Sequence, residues 1–302
     1  MQTAHAVAQR SRRLPLFGLI GIGTILCLPA LAQRAAQPLQ SAHIAGSIHW
    51  VSGGTGANVS FSAGPDGIFI VDSKSQRDAR GILEFAEGAT DAPLRYLVNT
   101  HEHPDHTDGN ERIAAAGAII VAHEAVREIL AAGQRGGPAA PDTALPVITF
   151  GDLGSINFAM NGETIEVFHV APAHAPGNSI VHYTGSNVIH MGDLFNPARY
   201  PVLAGGTLEG FITALNIAVR RADVETVVIP GTGPLSDREG LINFREMLIA
   251  VRERLIDALD QGQSLEQFIA TRPTREFDAV YGDPSHALFL PVLYAEMSAR
   301  RQ

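Results

Sequence analysis

A dense group of metal-binding side chain types occupies residues 101–106 of this 302-residue chain. The segment reads His-Glu-His-Pro-Asp-His, so three imidazoles and a carboxylate lie very close together. In an extended stretch, residues two apart face the same side, which lets His101 and His103 share one ion. The proline and the turn after it would direct Asp105 and His106 towards a neighbouring point. Imidazole and carboxylate are the ligands that zinc accepts when thiolate is absent, so the segment predicts a metal site rather than a solvated polar loop.

The first 32 residues have the pattern of a cleavable signal peptide. A basic start that includes Arg12 and Arg13 precedes an apolar run over residues 14–31, and small residues surround a cleavage point after Ala32. We therefore expect export to the periplasm, by the Sec route or, given the paired arginines, by the twin-arginine route. A membrane anchor formed by an uncleaved leader is the alternative, because the apolar run approaches spanning length.

Composition narrows the chemistry that the mature chain can perform. The only cysteine, Cys27, falls in the leader, which excludes disulfides, thiolate zinc sites and a cysteine nucleophile from the mature protein. The formal charge is −9, and it becomes −12 when the leader, with three arginines and no acidic residue, is removed. An acidic chain with a single lysine has no basic stripe for nucleic acid, so we expect a small-molecule substrate as the partner.

Short strands and helices that could position these groups follow a lead-in over residues 33–46, which we expect to be poorly ordered. Period-two apolar runs between Gly and Pro residues predict strands, and longer amphipathic runs predict helices. The predicted strands are 47–51, 58–61, 67–72, 94–99, 118–122, 147–150, 156–160, 164–170, 179–183, 187–191 and 226–229. The predicted helices are 77–86, 110–116, 124–132, 208–221, 238–261, 265–271 and 287–300. This order indicates two sheets covered by helices, in one domain over residues 47–302.

Two further ligand candidates follow predicted strands downstream. His174 lies in a turn directly after the strand at 164–170, and Asp193 comes just after the strand at 187–191. Both stand at strand-to-loop corners, as His101 does, and loops at one end of a sheet scaffold commonly assemble functional sites. Beside the first cluster, we therefore expect both residues to be metal ligands.

Together, these residues resemble the metallo-β-lactamase-fold hydrolase superfamily. The resemblance rests on the motif at 101–106, the His174 turn, Gly192-Asp193 and the late loop at 229–234, and it covers essentially the whole mature chain. It implies an α/β (α+β) fold, a four-layer αββα sandwich with metals at one edge of two facing sheets.

The resemblance also implies roles for the site residues. Six ligand candidates divide into two sets and a bridge: His101, His103 and His174 for one zinc ion, Asp105 and His106 with a late histidine for a second, and Asp193 between them. Zinc in such a site supplies hydroxide near neutral pH, which would attack a carbonyl-type substrate such as a β-lactam, lactone, ester or thioester. Asp105 is the catalytic candidate, because it would orient the hydroxide or accept its proton.

The chain departs from the family pattern at the late histidine. The family loop reads Pro-Gly-His-Gly-Pro, whereas this chain has Thr232 at the ligand position. A hydroxyl is a poor zinc donor beside imidazole, so we expect a weakened or empty second site. Alternatively, another histidine reaches the site, although each one available is expected in a core or surface role. These histidines are His123, His169, His182, His190 and His286.

Two other functions remain open on the sequence alone. His101, His174 and Asp193 form the two-imidazole, one-carboxylate set of non-haem iron oxygenases, and some relatives in the superfamily oxidise persulfides. Thr232 instead favours a degenerate hydrolase that is kept as a binding protein. If the chain is a hydrolase with one metal, the leaving group lacks its second stabiliser, which favours esters, lactones and strained lactams over ordinary amides.

Overall fold

A computed structural model describes residues 37–284 and 289–300, without the side chain of Arg135. The predicted signal peptide and His286 lie outside the described residues. Within the part described, no helix is long and apolar enough to span a membrane.

The first sheet has seven strands, whose order in space follows their order in the chain. They are β1 (Gln40–Ala45), β2 (Ile48–Ser52), β3 (Val59–Gly64), β4 (Gly67–Val71), β5 (Leu94–Val98), β6 (Ile119–His123) and β7 (Ile148–Phe150). Strands β1 to β4 pair antiparallel, whereas β4 to β7 pair in parallel. All five residues of β4 are buried, as expected for a central strand that is covered on both faces.

The second sheet has five strands in the order β12-β11-β10-β9-β8. They are β8 (Ser155–Met160), β9 (Glu163–His169), β10 (Ser179–Tyr183), β11 (Val188–Gly192) and β12 (Val227–Pro230). Neighbours from β8 to β11 are antiparallel, and β11 pairs in parallel with β12. Asn161 lies at the β8–β9 turn with a positive φ of 54°, which asparagine tolerates.

Helices occupy the segments between and after the strands. They are α1 (Gln76–Glu87), α2 (Pro104–Thr107), α3 (Asn110–Ala115), α4 (Glu124–Ala132), α5 (Leu208–Arg221), α6 (Arg238–Asp260), α7 (Leu265–Ala270), α8 (Asp278–Tyr281) and α9 (Phe289–Ala299). Side chains cap the three longest of these: Ser75 accepts from Asp78 N, Thr207 from Gly210 N and Asp237 from Gly240 N. Such caps satisfy amides that have no partner inside the helix.

Three apolar clusters show how the layers pack. One lies between the sheets and joins Val71, Val98 and Val121 of the first to Val167 and Val181 of the second. A second cluster packs α1 and α3 on the outer face of the first sheet. A third packs α5, α6 and α9 on the outer face of the second sheet. The layer order is therefore αββα, which confirms the predicted fold class.

The parallel pairings bring the ligand-bearing loops to one edge of the sandwich. Strands β4, β5 and β6 run in parallel, so the residues after each lie at the same edge of the first sheet. In the second sheet, β9 and β11 are each antiparallel to β10, so their carboxyl ends also share an edge. The two edges coincide, because Ser179 N donates to Thr100 O at 2.8 Å and Asn58 N donates to Gly231 O at 2.6 Å.

Three elements of the structure were not predicted from the sequence: β1, α2 and the short helix α8. Residues 40–45, expected within a poorly ordered lead-in, form β1 and pair with β2 from Gln40↔Ser52 onward. This strand lies at the edge of the sheet and is only half covered. Its mixture of polar and small residues therefore lacks the apolar pattern that predicts a strand. The second element is α2, a single helical turn at Pro104, a residue that suits the first position of a helix.

Replacing Phe69 by alanine tests the packing between the sheets. Phe69 is fully buried, and its ring centroid lies 5.0–6.4 Å from those of Phe158, Tyr96 and Tyr183. We expect Phe69→Ala to lower the free energy of unfolding by about 3–5 kcal/mol, because it leaves a cavity. Urea unfolding measures the loss, and Val147→Ala, at a side chain that is 69% exposed, should change stability by less than about 0.5 kcal/mol. Equal losses in the two variants would contradict this packing.

Candidate metal centre

Three imidazole nitrogens from two sheets face one another at the common edge. Nδ1 of His103 lies 3.1 Å from Nε2 of His101 and 2.8 Å from Nε2 of His174. Zinc–nitrogen bonds of about 2.0–2.1 Å at tetrahedral angles place two ligand nitrogens about 3.3 Å apart. The two distances from His103 Nδ1 are therefore within a few tenths of an ångström of the spacing that one such ion requires, and the donor set suits a divalent metal.

The carboxylate of Asp193 lies between these imidazoles and His106. Its Oδ2 is 3.4 Å from His174 Nε2, and its Oδ1 is 3.4 Å from His106 Nε2. One ligand atom each from His101, His103, His174 and Asp193 fall within 4.8 Å of one another. Asp193 thus lies between His174 and His106, and the family resemblance implies a bridging carboxylate at this position.

Hydrogen bonds on the far side of two rings orient their metal-facing nitrogens. Nδ1 of His174 donates to Val202 O at 2.7 Å, which leaves the lone pair on Nε2 directed at the cluster. Nδ1 of His101 lies 3.1 Å from Thr100 Oγ1. Partners of this kind fix the tautomer and the ring orientation of metal-binding histidines.

Asp72 fixes the conformation of the loop at residues 101–106, called the histidine loop below, through hydrogen bonds. The sequence did not identify it as a site residue. Its fully buried carboxylate accepts hydrogen bonds from Thr100 N and Thr100 Oγ1, both at 2.8 Å, and from His106 Nδ1 at 2.7 Å. Nε2 of His106 consequently points towards Asp193 and towards Asp105, whose Oδ2 is 3.8 Å away. Nε2 of His106 is buried and has no hydrogen-bond partner in the described chain, as expected of an atom directed at an ion. The sequence signal that could have identified Asp72 as a site residue is its position directly after a buried strand.

Burial and charge separate the histidines into neutral and cationic forms in the absence of metal. Burial lowers the pKa of His101 well below its ordinary value, with help from His106 and His174, and burial also lowers the pKa of His174. Burial opposes the charge of His106, but Asp72 and Asp193 outweigh it and raise the pKa of His106 well above its ordinary value. Burial likewise raises the pKa of Asp193, yet His106 and His174 outweigh it and hold that pKa well below its usual range. His101 and His174 are therefore in the neutral form that ligates metal.

Lys74 holds the loop that packs against Asp105. This lysine is fully buried, and its ammonium donates to Gly53 O at 3.0 Å and to Ala57 O. Burial lowers the pKa of Lys74 to about 8, although Asp78, Asp105 and Asp72 oppose the shift. Ala57 N in turn donates to Asp105 O at 3.3 Å. The Asp105 side chain, 44% exposed, is thus positioned from its backbone and remains open to solvent.

Comparison with known proteins assigns the family. The family model for the metallo-beta-lactamase superfamily matches residues 52–256, which contain every ligand candidate described above. The chain belongs to the metallo-beta-lactamase superfamily. This confirms the family resemblance.

Two curated relatives of this superfamily member are enzymes. A hydroxyacylglutathione hydrolase from Polaromonas sp. (strain JS666 / ATCC BAA-500) is 26% identical over 193 residues, covering 61% of this chain and 66% of the relative. The alpha subunit of a 2,4-dinitroanisole O-demethylase from Nocardioides sp. (strain JS1661) is 25% identical over 177 residues, covering 58% of this chain and 52% of the relative. The chain thus spans between half and two thirds of the length of these relatives.

Solved structures of metallo-beta-lactamases share the fold. A metallo-beta-lactamase from Pontibacter korlensis matches with a TM-score of 0.60 and 21% identity, covering 70% of this chain and 99% of its own. The DIM-1 metallo-beta-lactamase matches with a TM-score of 0.59 and 19% identity, covering 71% of this chain and 98% of its own. These likenesses establish the architecture of the superfamily member.

Asn58 and Asn196 hold the late loop, in which Thr232 replaces the family histidine. Asn58 Nδ2 donates to Pro230 O at 2.9 Å and to Gly233 O at 3.0 Å, so backbone groups hold the loop. The Thr232 hydroxyl accepts a hydrogen bond of 2.7 Å from Asn196 Nδ2. The departure from the family pattern is therefore accommodated locally, with the threonine oxygen engaged by a neighbouring amide.

The four described histidines that were considered as replacements have other partners. His190 is fully buried, with Nδ1 2.8 Å from Ser60 Oγ and Nε2 4.0 Å from Asp72 Oδ2. His182 Nδ1 lies 3.8 Å from Glu166 Oε2. The remaining two, His123 and His169, lie together beside Asp152.

Acid sensitivity should come in part from His190. Burial lowers the pKa of His190 from 6.5 to about 4, although Asp72 opposes the shift. Between about pH 6.5 and 4, the unfolded chain binds a proton at this histidine that the folded chain does not bind. The contribution of His190 to the free energy of unfolding is therefore complete above pH 6.5 and is lost as the pH falls towards 4. Chelator-treated natural protein should lose stability between pH 7.5 and 4.5. We expect this loss to be about 2–3 kcal/mol smaller in His190→Gln.

Urea unfolding at the two pH values measures this effect. The same substitution at an exposed histidine, His43→Gln, is the control. An unchanged pH dependence in His190→Gln would show that this ring does not contribute to acid unfolding.

Proposed function

We propose that this chain is a zinc-dependent hydrolase with one firm metal site, acting on esters, lactones or thioesters. The observation that carries the proposal is that Nε2 of His101 and Nε2 of His174 both lie within 3.1 Å of His103 Nδ1, beside the carboxylate of Asp193. Three nitrogen donors with a free fourth position are typical of catalytic zinc, which lowers the pKa of bound water and polarises carbonyl groups. A third imidazole favours zinc over the iron oxygenase alternative, which needs only two.

The residues around the metal position would perform the remaining steps. The Asp105 carboxylate reaches solvent at the edge of the site, where it would orient the attacking water and hold its proton. The ring of His106, fixed by Asp72, would hold a second ion or donate to a substrate oxygen from Nε2. The amide of Asn196, which donates to the Thr232 hydroxyl, would bind a polar group of the substrate.

The threonine at the late ligand position limits the substrate class. With its hydroxyl engaged by Asn196, Thr232 adds no imidazole to the second position, where Asp105, His106 and Asp193 remain. A leaving group would receive less stabilisation there, so groups that leave easily are favoured. The curated hydroxyacylglutathione hydrolase supports an acyl thioester among the candidates.

We also infer that the chain is exported. The inference rests on the basic start, the apolar run and the small residues around Ala32, and periplasmic delivery by either export route agrees with a mature chain without cysteine.

A substrate panel with parallel metal analysis tests the hydrolase proposal. A nitrophenyl ester, a lactone, an acyl thioester and a cephalosporin are assayed with the zinc-loaded protein. We expect turnover of the first three, loss of turnover with a chelator and recovery with zinc. Asp105→Asn should lower kcat by about 100-fold or more, because a positioned carboxylate contributes at least that much. No turnover at full zinc loading, or iron in place of zinc in the purified protein, would contradict the proposal.

Replacing Thr232 by histidine tests the weakened second site. Asn58 holds the loop through the main-chain oxygens of Pro230 and Gly233, so Thr232→His should keep the loop and place an imidazole at the family ligand position. We expect one additional tightly bound zinc ion per chain and at least a 10-fold gain in affinity for it. Thr232→Val, which removes the bond to Asn196 without adding a ligand, is the matched control. A metal content equal to that of the natural protein would show that the second site is already complete.

A further inference from the structure

A second group of metal-ligand side chains lies along the same edge, next to the centre described above. His123 ends β6, His169 ends β9, and Asp152 lies in the short loop between β7 and β8. Asp152 Oδ1 is 3.2 Å from His123 Nε2 and 3.7 Å from His169 Nε2. One ligand atom from each residue falls within 4.8 Å of the other two. The superfamily resemblance assigned no role to this group.

The two imidazoles are buried and stack on each other. Their side chains are 3% and 4% exposed, and the rings stack with centroids 3.9 Å apart and an interplanar angle of 16°. His123 Nε2 has no hydrogen-bond partner of ordinary geometry in the described chain, whereas His169 has a hydrogen bond to the backbone of Asn178. Buried polar atoms are normally satisfied, so the unsatisfied Nε2 of His123 calls for an explanation.

The carboxylate of Asp152 differs from the rings in exposure, because its side chain is 81% exposed. It closes the solvent side of the pair, so an ion entering from solvent would meet an oxygen donor first and two nitrogen donors beneath it. Burial and the neighbouring His123 lower the pKa of His169, which keeps that ring in the neutral form that binds metal.

We propose that His123, Asp152 and His169 form an additional binding site for a divalent transition metal such as zinc. The donor set is two imidazoles and one carboxylate, which binds zinc as well as other divalent transition metals, and water would complete the coordination. Since His123 and Asp152 follow strands of the first sheet and His169 ends a strand of the second, the ion would join the sheets beside the main centre.

One contact sets a limit on the affinity of this site. Ala125 N, in the first turn of α4, donates to His123 Nδ1 at 3.3 Å. That bond leaves the ring proton on Nε2, which faces Asp152 in the metal-free protein. Metal binding through Nε2 moves the proton to Nδ1 and ends the contact with Ala125. We therefore expect weaker binding here than at the main centre, where the Nδ1 proton of His174 already has an acceptor.

Zinc titration of the metal-free full chain tests the proposal. Zinc binding is followed by competition with a chromophoric chelator and by metal analysis after gel filtration in buffered free zinc. We expect Asp152→Asn to bind one equivalent less than the natural protein at the same free zinc, or to bind that equivalent at least 10-fold more weakly. Asp91→Asn, the same change at another exposed aspartate, should retain it. Because Asp152 is exposed, the variant should keep the far-ultraviolet circular dichroism of the natural chain.

A second variant separates this site from the main centre. In a His101→Ala/His174→Ala chain, one zinc equivalent should remain, and adding Asp152→Asn should remove it. The proposal would be overturned if the natural protein and the Asp152→Asn variant bound zinc with the same stoichiometry and affinity. A folded double variant without zinc binding would also overturn it. Neither result depends on hydrolase activity, so the proposed function stands or falls separately.

Discussion

The conformation of the histidine loop depends on the buried carboxylate of Asp72. It accepts three hydrogen bonds, two from Thr100 and one from His106, and so joins the end of β4 to the loop that follows β5. A buried charge is tolerated only when it is paired and fully hydrogen-bonded, and this carboxylate meets both conditions. Because the same bonds fix the His106 ring and the backbone leading to His101, the geometry of the metal-facing nitrogens depends on it.

The sandwich places this loop opposite ligands from the other sheet. Backbone bonds between Ser179 and Thr100 and between Asn58 and Gly231 hold the two edges at a fixed separation. Within the second sheet, Gly231 leaves room for the Asp193 side chain, since a Cβ at 231 would overlap that carboxylate. The core between the sheets therefore does more than stabilise the fold: it sets the distance across which imidazoles from both sheets meet.

Much of this arrangement could be predicted from the sequence, because its determinants are local. The motif at 101–106 and the strand-to-loop positions of His174 and Asp193 are visible as residue types beside apolar runs, and the alternation of strands and helices indicates the two covered sheets. Strand β1 was missed because an edge strand needs little apolar character. Asp72 and Lys74 were missed because their roles depend on burial and on partners distant in the sequence. The pairing of His123 with His169 likewise requires knowing which strands face each other across the sandwich.

The 230–234 loop is held by two kinds of hydrogen bond. Asn58 donates to main-chain oxygens of Pro230, Gly231 and Gly233, and Asn196 donates to the Thr232 hydroxyl. A substitution at 232 removes only the second kind, so the main-chain bonds of Asn58 remain. The residue at this position can therefore alter the donor set beside His106 with little change in the backbone that carries it.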